Sequence, residues 1–132
     1  MSDAEVIERF ERGDVDEFHH ADHVRVAFAY VRTLPLLEAI ARFTAALRRF
    51  AAAQGKPQLY HETITWAFLL IIHERIERAP AEWDAFIRDN ADLLQWKPSV
   101  LESYYPAEVL QSELARRVFV LPRAHLTGNL VC

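Results

Sequence analysis

The sequence predicts an all-α protein, a single compact bundle of five or six helices. Three observations lead to this prediction. Apolar residues recur at helical spacing in nearly every segment, no segment shows sustained alternation of apolar and polar residues, and the connections are short. A chain of 132 residues suits one domain, so we expect residues 1–132 to fold together.

Start and stop residues place the helix boundaries. The first helix has Ser2 and Glu5 at the spacing of a capping box and ends at Gly13. Proline, threonine and glycine residues bound the later segments in a similar way. We expect these helices within residues 14–32, 33–55, 59–78, 80–90 and 106–117. Residues 118–132 are expected to form an irregular tail, apolar enough to dock on the bundle.

Composition excludes several classes of function. The net charge is −4 and the basic residues are scattered along helix faces, which argues against nucleic acid as a partner. The longest apolar run, residues 64–72, is about half the ~20 residues needed to cross a bilayer, so we expect no membrane span. The single cysteine, Cys132, cannot form an internal disulfide. Together with an acidic N-terminus unlike a secretory signal, this favours a cytoplasmic protein.

Histidines stand out on the second helix because they continue its apolar stripe. His20 and His23 precede Val24, Ala27 and Phe28 at helical spacing, so both imidazoles are expected to point toward the core. Residues at i and i+3 have Cβ atoms about 5–6 Å apart, which would let the two rings converge on one ion.

A second polar group begins the most apolar helix, in the stretch LYHETITWAFLLII. His61 and Glu62 lie in its first turn, and a charged carboxylate near a core needs a partner. Three histidines and a carboxylate therefore predict one buried site. They would hold a transition metal ion (Zn, Fe, Mn, Ni or Cu) or satisfy one another as a metal-free network.

The assignment of roles leaves two alternatives. Neighbouring helical residues point about 100° apart, so His61 and Glu62 would not both ligate one ion. We favour His61 as a metal ligand beside His20 and His23, with Glu62 as a catalytic base acting through a bound water. The exchanged assignment, with Glu62 as the ligand, stays open. The metalloprotease motif H-E-x-x-H is rejected because Thr65 stands where its second histidine belongs.

The stretches HHADHVRVA, YHETIT and YYPAEVLQSELARRVFVLP resemble a group of small, uncharacterised bacterial helical proteins. The resemblance covers about residues 18–122 and implies a shared fold and site, but no reaction. By matching position it points to His20, His23, His61, Glu62, Thr65, Ser112 and Arg116. We add Tyr60 from the same block, so the expected ligand-binding residues are Tyr60, Thr65, Ser112 and Arg116.

Two hypotheses of function follow. The leading one is a small helical protein with a buried His/Glu site that binds one metal ion and a small polar or acidic molecule, anchored by Arg116 and Ser112. Whether it is an enzyme stays open. The alternative is a metal-free module that binds a partner or self-associates, for example as a homodimer, through its apolar tail.

Overall fold

The computed structural model describes residues 1–97 and 99–123, and within them the chain is helical without a β-strand. Turns of 3₁₀ helix occur at Pro57–Leu59, Ala91–Leu94 and Val100–Ser103. The α-helices are α1 (Asp3–Arg12), α2 (His20–Thr33), α3 (Leu36–Ala53), α4 (Glu62–Arg78), α5 (Trp83–Asp89), α6 (Ala107–Leu110) and α7 (Glu113–Arg117). The predicted all-α class is confirmed.

The first helix shows how local signals set the boundaries. Ser2 Oγ accepts a hydrogen bond from the backbone N–H of Glu5 at 3.2 Å, which satisfies one of the free N–H groups of α1. Gly13 ends the helix in the left-handed region, with φ of 78°, where glycine has no steric cost. Asp3 then fixes α1 on α2 by accepting from Arg25 at 2.8 Å and from Arg32 at 3.2 Å.

The predicted last helix, residues 106–117, is instead two short helices. The chain leaves α6 at Gln111, and Ser112 Oγ accepts from the backbone N–H of Ala115 at 3.1 Å to begin α7. Ser112 is therefore an N-cap, so its hydroxyl is used by the backbone. Residues 1–97 and 99–123 thus contain seven α-helices, five of which have seven residues or more.

The core is built around α2, which contacts α1, α3 and α4. All side chains of α2 from Val26 to Val31 are buried, so this helix is apolar on nearly every side over that stretch. Aromatic rings fill the space on both of its flanks. Phe10 of α1 stacks on Phe43 of α3 at 5.8 Å, and Phe28 lies 4.8 Å from Phe86 of α5. Each such buried ring stabilises the fold by roughly 1.5–3 kcal/mol.

The segment after α7 is tied to the first turn of α4. Thr63 is fully buried, and its hydroxyl donates to the Val118 carbonyl at 2.8 Å and accepts from the Val120 N–H at 3.0 Å. Phe119 stacks on Trp66 at 5.4 Å. Residues 118–120 thus dock on α4, whereas residues 124–132 of the predicted tail lie outside the described residues. Within the described part, no helix is both long and apolar enough to cross a membrane.

Replacing Thr63 tests this attachment. We expect Thr63→Val to lower the free energy of unfolding by about 1–3 kcal/mol, because the half-buried Val120 N–H loses its acceptor. Urea denaturation followed by circular dichroism measures the loss. Thr44→Val is the matched control, since the Thr44 hydroxyl donates only to carbonyls of its own helix, Ile40 at 2.8 Å and Ala41. Equal losses in the two variants would contradict the role of Thr63.

Candidate ligand-binding site

A cavity of about 750 Å³ lies between α2, α3 and the beginning of α4. Its volume is within the range of small-molecule pockets. Most of its lining is apolar, and we call the following residues the apolar floor: Val24, Ala27, Phe43, Leu47, Phe50 and Phe68. Polar side chains are also part of the lining, and we call six of them the polar wall: His20, His23, Tyr60, His61, Thr65 and Arg116.

The polar wall contains all but two of the residues that the sequence singled out. The exceptions are Glu62 and Ser112, which do not line the cavity. Ser112 caps α7 from outside it. The carboxylate of Glu62 lies behind the wall, where it accepts from the Tyr60 hydroxyl at 2.5 Å and from Arg48 Nη2 at 3.2 Å. The role of Glu62 as a catalytic base stays a prediction.

His61 uses both of its ring nitrogens. It is the residue before α4, and its Nδ1 accepts from the Ile64 backbone N–H at 3.1 Å. Its Nε2 lies 2.7 Å from the Leu110 carbonyl oxygen. A carbonyl only accepts, so Nε2 carries the hydrogen and the ring is neutral. Burial, the largest effect, lowers the pKa of His61, and the positive charge of Arg116 lowers it further. His61 is therefore a structural link between α4 and α6.

His20 makes a similar link at the other end of the cavity. Its Nε2 donates to the Leu93 carbonyl at 2.8 Å, which ties the beginning of α2 to the turn Ala91–Leu94. The Asp22 carboxylate accepts from the His19 backbone N–H at 3.0 Å and helps to begin α2 at this point. His20 keeps Nδ1 for another partner, and its ring centroid lies 4.8 Å from that of Trp96.

His23 is the one histidine of the polar wall without a hydrogen bond to the part of the chain that the structure describes. Its half-buried ring packs edge-on against Phe18, with 4.2 Å between centroids, and lies 6.4 Å from Phe43. Burial, with a smaller effect of His20, lowers the pKa of His23 to about 4. At neutral pH the ring is uncharged, with one nitrogen able to donate and the other able to accept.

The geometry gives the predicted metal site no support. Among residues 1–97 and 99–123, no group of three or more His, Cys, Asp or Glu side chains is placed to hold a metal ion. The hydrogen bonds of the histidines explain this. Both ring nitrogens of His61 and one ring nitrogen of His20 are bonded to backbone groups. A metal ligand must instead offer a free lone pair.

Tyr60 is positioned by groups that the cavity does not contain. The Arg48 guanidinium lies over its ring, 4.1 Å from the centroid, and also pairs with Glu62. Burial, followed by the bond to Glu62, raises the pKa of the Tyr60 phenol above its usual range. The Tyr60 hydroxyl is thus a donor to Glu62, and its lone pairs remain available. The Thr65 hydroxyl also uses its hydrogen within the protein, since it donates to the His61 carbonyl at 2.7 Å.

Two residues of the site were missed by sequence reasoning. Trp96 lines the cavity beside His20 and is 46% exposed, although its position in an irregular segment gives no periodic signal. Arg48 lies off the apolar stripe of α3, where an arginine is usually just solvated, so its bond to Glu62 has no local signature. Arg116 was predicted, and its Nη1 donates to the Gln58 carbonyl at 2.7 Å.

Comparisons with known proteins leave the assignment of the site to its geometry. No protein-family model, curated protein or solved structure matches this chain. The resemblance to a group of bacterial helical proteins therefore stays a prediction.

Two substitutions of His61 distinguish how much each of its two hydrogen bonds contributes to stability. We expect His61→Ala to lower the free energy of unfolding by about 2 kcal/mol, roughly 1 kcal/mol each for the lost cap and the lost bond to Leu110. His61→Asn should lose only about half as much, because asparagine is a good N-cap that does not reach Leu110. Chemical denaturation of both variants measures the difference. Equal losses would show that the Nδ1 cap contributes little.

The lowered pKa of His23 predicts a pH dependence of stability. Its pKa is about 6.5 in the unfolded chain and about 4 in the folded one, so the unfolded state binds a proton first as the pH falls. The contribution of His23 is complete above pH 6.5 and declines toward pH 4, by up to roughly 3 kcal/mol.

The variant His23→Gln isolates this contribution, since glutamine does not titrate. Its free energy of unfolding should fall less than that of the original protein between pH 7 and pH 4, as measured by urea denaturation at each pH. His73→Gln serves as the control, because His73 lies farther along α4 and does not line the cavity. An unchanged pH profile for His23→Gln would refute the assignment.

Proposed function

We propose that the protein binds a small molecule with a mainly apolar body and one hydrogen-bonding end in the cavity between α2, α3 and α4. The observation that carries this proposal is the cavity itself, about 750 Å³ in volume, with an apolar floor and a polar wall. Natural small-molecule sites combine these two features, because the apolar part supplies affinity and the polar groups fix orientation.

The apolar floor supports an apolar ligand body. Phe43, Leu47 and Phe68 come from two helices and face the same space. A ligand that covers them removes apolar surface from water on both sides of the contact, which is worth about 25 cal/mol for each Å² buried. A strongly polar molecule would instead lose hydration against these side chains without gaining hydrogen bonds.

The polar wall supports one hydrogen-bonding end. His23 has a neutral ring whose nitrogens have no partner in the described residues, so it can pair with a hydroxyl, amide or acid group. Tyr60 and Thr65 already donate their hydroxyl hydrogens to Glu62 and His61. Both hydroxyl hydrogens are therefore already used, and the donors of the polar wall that remain free toward a ligand belong to His23 and Arg116.

Metal binding does not enter this proposal, because His20 and His61 bond to backbone carbonyls and the described residues contain no group of three or more side chains placed to hold a metal ion. The alternative of a partner-binding or self-associating module stays a prediction, as does the homodimer. Much of the tail that suggested it, residues 124–132, lies outside the described residues, and residues 118–120 are already docked on α4.

The test uses a neutral apolar fluorophore, N-phenyl-1-naphthylamine, titrated against the purified protein. We expect saturable enhancement of its fluorescence with about one molecule bound per chain. Ala51→Trp should abolish this binding, because Ala51 lines the cavity and a tryptophan there would fill it. Ala53→Trp is the matched control, since Ala53 is exposed on another face of the same helix.

Two outcomes would count against the proposal. One is the absence of saturable binding to the original protein. The other is equal binding by Ala51→Trp and Ala53→Trp when circular dichroism shows both to be folded. If Ala51→Trp does not fold, the smaller change Ala51→Leu takes its place, and binding must then weaken relative to an Ala53→Leu control.

A further inference from the structure

A second groove lies on the outer side of the cavity, beside the turn Pro57–Leu59. It has a volume of about 670 Å³ and shares Leu59, Tyr60 and Arg116 with the cavity lining. These three side chains therefore border both spaces. We call this second space the basic groove, because it is also lined by Arg48 and Arg117.

The arginines of the basic groove are unequally paired. Arg48 forms an ion pair with Glu62 at 3.2 Å. Neither Arg116 nor Arg117 has a carboxylate within ion-pair distance in the part of the chain that the structure describes, although Glu113 also lines the groove. Arg116 donates one hydrogen bond, from Nη1 to the neutral carbonyl of Gln58.

Arg116 is the group that most needs a negative partner. Its side chain is half-buried, so part of its hydration is lost, and one backbone carbonyl does not neutralise its charge. The rest of the guanidinium remains free to donate. Its planar fork matches the oxygens of a carboxylate or phosphate, with which it forms paired, charge-assisted hydrogen bonds.

We propose that the ligand of the cavity is an amphipathic anion, with its apolar body on the floor and a carboxylate or phosphate end at Arg116. This inference rests on the proposed function above, because it names the class of molecule that the same cavity binds. The head group then lies at Arg116, the cationic side chain that borders both the cavity and the basic groove.

Other charged side chains also line the cavity. Lys56 lines the cavity near Tyr60 in sequence and has no carboxylate within ion-pair distance among the described residues. The acidic lining residues, Asp16 and Glu17, come from the segment before α2, and Glu17 lies 3.3 Å from the ring of His19. The cavity lining thus carries Lys56 as a second cation besides Arg116.

The experiment compares three ligands with the same ten-carbon chain: decanol, decanoate and decyl phosphate. Each displaces N-phenyl-1-naphthylamine from the protein at pH 7.5, and the competition gives its Kd. We expect at least one anion to bind about tenfold or more tightly than decanol, as a charge-assisted pair with Arg116 predicts. The ratio of the two anions distinguishes a carboxylate site from a phosphate site.

Arg116→Gln then identifies the group that recognises the charge. The affinity for the anion should fall about tenfold while the affinity for decanol stays the same, because the apolar floor is unchanged. Arg88→Gln removes the same charge from an exposed position on α5 and should leave all affinities as they were.

The outcomes separate this inference from the proposed function. Equal affinities for all three ligands would overturn the anionic end, although the cavity would still be a binding site. Equal weakening of decanol and the anion in Arg116→Gln would mean that Arg116 only shapes the cavity, which also overturns the inference. If the fluorophore does not bind to the original protein, the proposed function itself is contradicted, and the inference about the anionic end is contradicted with it.

Discussion

The arrangement of the site depends on the bonding of a single imidazole, that of His61. Its Nδ1 caps α4, and this fixes Thr63 and Thr65 at the beginning of the helix. Its Nε2 donates to the Leu110 carbonyl and so links α6 to the beginning of α4. One neutral ring therefore joins two helices beside the cavity. The arrangement requires the ring to stay uncharged, because a proton on Nδ1 would face the N–H group that it now accepts.

Polar groups next to an apolar floor lower the stability of the fold unless they form hydrogen bonds. Here most of them bond to protein groups that lie outside the cavity. Tyr60 donates to Glu62, which in turn is held by Arg48 on the outer face of the protein. Throughout the described residues, no buried polar side-chain atom lacks a hydrogen-bond partner. Free bonding capacity is consequently concentrated in the parts of His23 and Arg116 that solvent reaches. A network of this kind favours recognition of a ligand by a few groups with fixed positions.

Features that depend on local spacing could be predicted from the sequence, and features that depend on distant backbone could not. The Ser2 cap and the Gly13 stop were visible because both signals lie within the helix they bound. Helical period also placed His20 and His23 on a face that lines the cavity.

The hydrogen-bond partners of the histidines could not be predicted from the sequence. His20 and His61 donate to carbonyls that are 73 and 49 residues away, and every residue has a carbonyl. The sequence suggested a metal site because only side chains were considered as partners for the histidines. In the structure, His20 and His61 bond to backbone groups instead. The break at Ser112 was missed because a serine within an apolar-periodic stretch is compatible with either a cap or an exposed helical position.

The division of the last helical stretch into α6 and α7 has a consequence for how the cavity exchanges its contents. Helices of four and five residues have almost no stability of their own, so this region persists only through its contacts with the rest of the fold. Those contacts include the beginning of α4, at His61 and Thr63, and within the region the Tyr105 hydroxyl donates to the Val120 carbonyl. We therefore expect residues 105–123 to separate from α4 as one small unit, at a lower free energy than global unfolding requires. Because this unit carries Arg116, the free energy of separating it from α4 sets how readily that side of the cavity opens, without any rearrangement of α1, α2 and α3.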